Sequence, residues 1–167
     1  KHSANSLLRL LNDILDFSKI EAGKLDLDSH VFALRPCIEQ TVQSLMCRAE
    51  SKGIRLKCGF ANEIPDTILG DSGRLTQIIV NLVGNAIKFT DQGEVKVHVS
   101  VRSTEKDSVL LHFLVSDTGI GIPRDHQQKI FESFRQADAS TTKRFGGTGL
   151  GLSISSQLVE MMDGKIW

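Results

Sequence analysis

The segment that most constrains the fold of this chain covers residues 74–90, with the sequence RLTQIIVNLVGNAIKFT. Its apolar residues recur at spacings of three and four, which places them on one face of a helix with about 3.6 residues per turn. The residues of this stripe are Leu75, Ile78, Ile79, Leu82, Ala86 and Phe89. The spacing therefore predicts an amphipathic helix that packs on a core, with Asp71 as its N-cap.

A row of polar residues follows one side of the same predicted helix. Asn81, Asn85 and Lys88 are spaced i, i+4 and i+7, so two amides and an ammonium group share one flank. A solvated edge would explain each of them singly, whereas an aligned set beside a core indicates a polar ligand, because unpaired polar groups there cost free energy. Amide oxygens can coordinate a hard cation, and lysine can contact phosphate. Both interpretations remain open for this helix alone.

A second group of candidate residues follows a predicted strand at residues 109–117. An apolar row of alternate residues in this strand ends in the carboxylate of Asp117, which needs hydrogen bonds if it lies beside a core. Gly119 and Gly121 come next, and glycines let a backbone approach a ligand closely. The alternative is an Asp that caps its own turn.

The remaining elements follow from periodicity and from turn residues. The predicted helices span residues 6–20, 36–52, 74–90, 124–134 and 152–164, with Gly23 and Gly53 ending the first two. The predicted strands or extended segments span residues 24–34, 54–60, 95–101 and 109–117, and residues 166–167 begin another. Residues 62–70 are predicted to form a loop, and residues 105–107 a hairpin turn. Residues 135–144 contain almost nothing apolar, as in a functional loop.

Composition limits the classes of partner. The 167 residues include 20 basic and 20 acidic side chains, so no general attraction to nucleic acid or anionic lipid is expected. Three cysteines, Cys37, Cys47 and Cys58, fit neither a CxxC metal site nor paired disulfides, and we expect them to be reduced in a cytoplasmic protein. No apolar run reaches the roughly 18 residues of a membrane span, although the parent protein could be anchored by other segments.

The chain has a glycine-rich motif that is compatible with a phosphate-containing ligand. The run GGTGLGL at residues 146–152 leads into a predicted helix, where backbone N–H groups form a ready anion site. The Walker A spacing is absent, since Lys165 after Gly164 has neither the upstream glycine nor a following hydroxyl. The segment after Asp117 lacks the third glycine of a dinucleotide-binding fingerprint and has Pro123 where the helix of that motif should start. The spacing of the protein-kinase glycine loop is also absent.

Four motifs of this chain resemble, in order, the N, G1, F and G2 boxes of the histidine kinase ATP-binding domain. They are NLVGNAIKFT, DTGIGIP, a pair of Phe131 and Phe134, and GGTGLGL. That family belongs to a group with the Hsp90-type chaperones, the MutL proteins and the type II topoisomerases. The resemblance covers residues 6–167. The segment LLNDILDFSKIEAGK is similar to a segment of hybrid sensor kinases. It implies an α+β two-layer sandwich of the Bergerat type, a mixed β-sheet with helices on one face, preceded by one long helix.

The resemblance also implies roles for individual residues. Asn85, with Asn81 beside it, would bind the Mg²⁺ that bridges the ATP phosphates, and Asp117 would accept a hydrogen bond from the adenine amino group. Residues 135–146 would form a lid, in which the order Lys143-Arg144 is the reverse of that in many relatives. The implied ATP-binding residues are Asn81, Asn85, Lys88, Phe89, Asp117, Gly119, Gly121, Ile122, Phe134, Lys143, Arg144, Gly147, Thr148, Gly149, Leu150 and Gly151.

The phosphoacceptor histidine of this family is missing from the chain. It lies in a motif resembling HE[LF]RTP, and none of the histidines has that context: His2, His30, His98, His112 and His126. We therefore expect residues 1–23 to be the second helix of a dimerisation hairpin, and residues 24–167 an ATP-binding domain without its last strands. The expected partners are a histidine-bearing domain of a homodimeric parent and a response regulator or receiver domain.

Two other functions are compatible with the motifs. A truncated or degenerate kinase module could bind nucleotide or protein without turnover. An ATPase like Hsp90 or MutL is the third possibility, but those relatives usually have Glu at the position of Asn81, where a carboxylate can activate water. An amide cannot act as that base, so the sequence favours phosphoryl transfer over hydrolysis.

Overall fold

The computed structural model describes residues 2–127, 129–132 and 149–167, which form two compact units. The sheet unit is Ser29–Gly121, and the terminal unit combines Lys1–Asp28 with Ile122–Trp167. The helices are α1 (His2–Glu21), α2 (Leu34–Ser44), α3 (Met46–Glu50), α4 (Ser72–Phe89) and α5 (Gly151–Met161), with a 3-10 turn at Lys129–Phe131. The strands are β1 (His30–Ala33), β2 (Ile54–Phe60), β3 (Thr67–Gly70), β4 (Gly93–Thr104) and β5 (Val109–Asp117).

The sheet unit contains a mixed sheet in the order β2-β4-β5. Strand β2 runs parallel to β4, with Ile54 opposite Gly93, and α4 lies on the connection between them. Strand β5 is antiparallel to β4, with Asp117 opposite Val95. Because parallel neighbours require a crossover while antiparallel ones need only a turn, this order follows from the chain path. The predicted mixed sheet is confirmed.

Helices α2, α3 and α4 pack on one face of this sheet. Alternate valines of β4, Val95, Val97 and Val99, are buried against Leu34, Ile38, Leu75, Ile79, Val83 and Ile87 of the helices. Apolar side chains at period two on a strand and at period 3.6 on a helix make one continuous interface between two layers. The predicted α+β sandwich with helices on one face is therefore confirmed.

The opposite face of the sheet carries charged side chains. Glu94 of β4 accepts hydrogen bonds from Lys96 and from Lys57 of β2, the latter at 3.0 Å, and Arg55 lies 3.7 Å away. The hydrogen bonds from Lys96 and Lys57 lower the pKa of Glu94 from 4.5 to about 2. The carboxylate is therefore charged at neutral pH and links two strands on the side away from the helices.

Helix α4 has the predicted position but buries a partly different face. Asp71 caps it as expected, accepting the backbone N–H of Arg74 at 2.9 Å. The residues most deeply buried are Val83 and Ile87, which the predicted stripe omitted, while Leu82 and Phe89 are only partly buried. Most positions around this helix are apolar, so periodicity alone could not select the row that meets the sheet. Relative to the prediction, the helix is rotated about its axis, which leaves Phe89 only partly buried.

Two predictions for the sheet unit were wrong. The helix expected at residues 36–52 begins at Leu34 and is divided at Leu45 into α2 and α3. Pro36 is tolerated in the first turn because the N–H groups there have no helical partner. The loop expected at residues 62–70 contains β3, which pairs with β1 through Val31 opposite Leu69. So short a strand is specified by its partner rather than by its own pattern.

The terminal unit contains α1 and α5. The predicted first helix is confirmed, and Gly23 ends it with φ 61° while its N–H donates to the carbonyl of Ile20. Gln157 of α5 donates a hydrogen bond to Glu21 of α1. Large apolar side chains of α1 remain exposed, namely Leu8, Leu11, Ile14 and Leu15. Within the described parts of the chain, none of the helices combines the length and apolar character needed to span a bilayer.

Two further predictions for the terminal unit were wrong. Residues 124–127 form turns and Lys129–Phe131 a 3-10 turn, where an α-helix was expected. The i to i−3 hydrogen bond from the N–H of His126 to the carbonyl of Pro123 shows the tighter winding. Ile166 and Trp167 have no strand conformation, although the sequence predicted the start of a strand there. The expected domain boundary after residue 23 stays a prediction.

Candidate functional site

The two asparagines of α4 lie side by side on the helix. The Nδ2 group of Asn85 donates to Oδ1 of Asn81 over 3.4 Å, and both residues are partly buried. This bond occupies the amide nitrogen of Asn85 and leaves its oxygen, the atom that a cation needs, for another ligand. The structure therefore confirms that the two amides are adjacent, and the role of Asn85 as a metal ligand stays a prediction.

Lys88 and Phe89 continue this row at the end of α4. The Lys88 ammonium lies 4.8 Å from the centre of the Phe89 ring, close enough for a cation–π contact. Both side chains are partly buried rather than enclosed. An ammonium group can also donate hydrogen bonds to the oxygens of a phosphate group.

Asp117 closes β5 with an exposed carboxylate instead of one facing the core. Its Oδ1 accepts the backbone N–H of Gly119 at 2.8 Å, so the Asp caps its own turn, as the alternative interpretation held. Among the described residues no hydrogen bond reaches Oδ2. One oxygen therefore builds the turn, and the other can accept a hydrogen bond from a ligand.

Gly119 brings this turn against the end of α4. A Cβ atom at Gly119 would lie 2.4 Å from the Phe89 carbonyl oxygen and 2.8 Å from Oδ1 of Asp117. The backbone N–H of Ile120 donates to the same carbonyl at 3.3 Å. Glycine is thus required for a close contact between two parts of the protein, and the predicted place of Gly119 in a ligand pocket stays a prediction. The contact connects Asp117 to the helix that carries Asn81 and Asn85.

Gly121 is needed for the conformation of its own backbone, whereas Gly119 is needed for close packing against Phe89. Its φ of 70° lies in the left-handed region, and nothing lies within 4 Å of an added Cβ. A side chain there would strain the backbone without colliding with a neighbour. Gly121 therefore shapes the loop, and its predicted place in a ligand pocket stays a prediction.

Thr118 is a structural residue of this site that the sequence analysis missed. Its hydroxyl oxygen accepts the N–H of Glu94 at 3.1 Å, and its own N–H donates to the Glu94 carbonyl at 3.2 Å. An added Cβ at Gly93 would lie 2.1 Å from this hydroxyl, so Gly93 must be a glycine. A hydroxyl residue between an Asp and a Gly after a strand was the available signal, since such residues often bond to nearby backbone.

The remaining predicted site residues lie in the terminal unit or outside the described chain. Gly149 has φ 72°, Leu150 is 1% exposed, and α5 begins at Gly151, so among the described residues Gly149 precedes a helix start as predicted. Ile122 is 46% exposed. Their expected contacts with nucleotide stay predictions. The other predicted residues lie outside the described residues: Phe134, Lys143, Arg144, Gly147 and Thr148.

The chemistry of the sheet-unit residues fits a magnesium-bound nucleotide. Asn85 offers a neutral oxygen, which leaves room in a cation's coordination shell for anionic phosphate oxygens. Lys88 adds one positive charge, and Asp117 offers an acceptor to a donor such as an exocyclic amine. Asn85 and Lys88 lie on the second half of α4, and the contact of Gly119 with Phe89 places the turn after Asp117 at the end of this helix.

Comparison with known proteins is consistent with this geometry. Residues 70–167 match the family described as histidine kinase-, DNA gyrase B- and HSP90-like ATPase. The signal transduction histidine-protein kinase BarA of Escherichia coli (strain K12) is 48% identical over 166 residues, covering 99% of this chain and 18% of BarA. The sensory/regulatory protein RpfC of Xanthomonas campestris is 45% identical over 167 residues, covering 98% of this chain and 23% of RpfC. The chain thus spans less than a quarter of either relative.

Solved structures give the same result. Full-length ShkA in complex with AMPPNP superposes with a TM-score of 0.81 and 34% identity, covering 97% of this chain and 32% of ShkA. Histidine kinase ThkA in complex with the response regulator protein TrrA superposes with a TM-score of 0.66 and 26% identity, covering 98% of this chain and 44% of ThkA. Because the family match includes more than half of the 167 residues, the chain belongs to the histidine kinase-, DNA gyrase B- and HSP90-like ATPase family and is homologous to hybrid histidine kinases.

Proposed function

We propose that this chain holds Mg²⁺-ATP for transfer of a phosphoryl group to a histidine outside these 167 residues, and from there to an aspartate of a response regulator. The observation that carries the proposal is the contact of Gly119 with the Phe89 carbonyl, which connects Asp117 to the helix of Asn81 and Asn85. The AMPPNP bound to ShkA supports the nucleotide, and the complex of ThkA with TrrA supports the regulator.

Each side chain has a separate task in this proposal. Oδ1 of Asn85 would coordinate Mg²⁺, and Asn81 beside it would be its hydrogen-bond partner and a further ligand of the ion. The ion, when bound, offsets the charge of the phosphates. Lys88 contacts phosphate, and the free oxygen of Asp117 accepts a hydrogen bond from the adenine amino group. The contacts proposed for the glycines before α5 rest on the family resemblance alone.

Asn81 favours transfer of phosphate over hydrolysis. An amide has no basic oxygen with which to remove a proton from water, whereas a glutamate at this position would have one. The third candidate, an ATPase like Hsp90 or MutL, requires that base. Steady phosphate release by the chain alone would favour that candidate.

The parent protein and its partners are also part of the proposal. We infer that residues 1–23 are the second helix of a dimerisation hairpin and residues 24–167 the catalytic domain of a homodimeric, cytoplasmically located kinase region. The exposed Leu11 and Leu15 of α1 support a helix that needs a partner. The formal net charge of zero supports a protein without direct nucleic-acid or membrane contact.

Titration with a non-hydrolysable ATP analogue, with and without Mg²⁺, tests the nucleotide site. The wild-type chain should bind saturably and more tightly with Mg²⁺. Asn85→Ala should weaken binding in Mg²⁺ by about tenfold and abolish the dependence on the ion, because one inner ligand is lost. Asn62→Ala, at an exposed loop position, should behave as the wild type. No saturable binding by folded wild type would favour the degenerate protein-binding module instead.

Incubation with ATP tests the location of the phosphoacceptor. We expect no phosphohistidine on the isolated chain, because none of its histidines lies in the acceptor motif. When a histidine-bearing dimerisation domain from a homologous kinase is added, we expect the histidine of that added domain to be phosphorylated. Stoichiometric phosphohistidine on the isolated chain, detected by mass spectrometry, would contradict the prediction.

A further inference from the structure

One lysine outside the predicted site binds the C-terminal end of α4. The Lys52 ammonium donates to the carbonyl oxygens of Ile87 at 2.8 Å, Lys88 at 3.0 Å and Thr90 at 3.0 Å. An ammonium has three N–H donors, so these bonds use its full capacity. They join residues 35 to 38 positions apart in the chain, which no helical periodicity predicts.

The other carbonyl groups at this helix end are also paired. The Ala86 carbonyl accepts the N–H of Thr90 at 3.1 Å, and the Phe89 carbonyl accepts the N–H of Ile120 at 3.3 Å. The last carbonyls of a helix have no partner within the helix and must find one elsewhere. Here the partners are the N–H of Thr90, the N–H of Ile120 in the turn after Asp117, and the Lys52 ammonium.

The position of Lys52 is set by the core and not by the site. It precedes Gly53, whose φ of 69° turns the chain into β2, and Ile54 is buried in the sheet interface. The ammonium is thereby placed at the negative end of the α4 dipole, where a positive charge is favourable. No described contact joins the Lys52 side chain to Asn81, Asn85 or Asp117.

We propose that Lys52 is a positioning residue for nucleotide binding, which acts by holding the last turn of α4. This inference rests on the function proposed above. Without the ammonium, the carbonyls of Ile87 and Lys88 lose this charged donor, and the backbone that orients the Lys88 and Phe89 side chains becomes less ordered. The nucleotide would then have to restore that order on binding, which lowers affinity.

Substitution of Lys52 tests the proposal on the 167-residue chain. Lys52→Met keeps the length of the side chain and removes the donors, and it should weaken binding of a non-hydrolysable ATP analogue in Mg²⁺ by about tenfold. Lys52→Arg keeps a charged donor and should recover at least part of the loss. Lys106→Met, in the exposed hairpin turn, is the matched control and should bind as the wild type does.

The titrations are made well below the melting temperature of every variant, so that all are folded and a general loss of stability leaves affinity unchanged. Amide hydrogen exchange of Lys88 and Thr90 should also be about tenfold faster in Lys52→Met. If Lys52→Met does not fold, Lys52→Gln replaces it in both measurements.

Binding by Lys52→Met within twofold of the wild type would overturn the inference, as would no recovery by Lys52→Arg. Failure of the wild type itself to bind would instead reject the proposed function.

Discussion

Asp117→Asn is expected to bind an ATP analogue about a hundredfold more weakly than the wild type, a loss of about 2.7 kcal/mol, while its stability is nearly unchanged. The turn needs one acceptor for the Gly119 N–H, and the asparagine oxygen still supplies it. The amide nitrogen then occupies the place of Oδ2 and presents a donor to the adenine amino group, which is also a donor. Two donors cannot form a hydrogen bond with each other, so the introduced amide and the adenine amino group would both be unpaired when the nucleotide binds.

Calorimetric titration and thermal unfolding measure the two parts of this prediction. Asp107→Asn, in the exposed turn between β4 and β5, is the matched control and should bind normally. The variant should also discriminate less between adenine and guanine nucleotides, since guanine presents a carbonyl oxygen that the new amide can donate to. Wild-type affinity for ATP in the variant would reject the role assigned to Asp117.

Gly119→Ala is expected to have the largest effect on folding, about 3 kcal/mol of unfolding free energy. The added methyl group would lie 2.4 Å from the Phe89 carbonyl oxygen and 2.9 Å from its carbon, atoms that belong to backbone and cannot rotate away. Relief requires the turn to move off α4, which breaks the Ile120 hydrogen bond to Phe89. Nucleotide binding should be lost with it, because Asp117 no longer keeps its place beside the helix.

Gly121→Ala separates this collision from the general cost of replacing a glycine. An added Cβ there has nothing within 4 Å, so only the left-handed backbone opposes it, at about 1 kcal/mol. Urea unfolding of the two variants measures both values on one scale. Equal destabilisation by the two substitutions would show that the contact with Phe89 contributes nothing beyond backbone strain.

Local patterns were sufficient for the long, regular elements. The alternation of residues 54–60 and 109–117 predicted β2 and β5 with the bounds that the structure has, since a half-buried strand places every second side chain in the core. Asp71 identified the start of α4 because an N-cap acts through its own next residues. The ordered glycine and asparagine motifs similarly identified the family.

Patterns were insufficient where an element depends on a distant partner. Strand β3 has four residues and exists beside β1, and the break at Leu45 separates two helices that periodicity had joined. The core-facing row of α4 could not be selected because several of its rows are apolar. For β3 and for the buried row of α4 the deciding interaction is with residues far along the chain, for which no local spacing is informative.

The sequence by itself determined the family and the chemical groups of the candidate site, because amides, a carboxylate and glycines at set spacings are local properties of the chain. Tertiary structure alone decided how those groups are held. The approach of Gly119 to Phe89 and the bonds of Lys52 to the end of α4 join segments that are roughly 30 or more residues apart. Such contacts arise from packing of the sheet against α4, and their physical basis, paired carbonyls and excluded volume, appears only when both segments are in place.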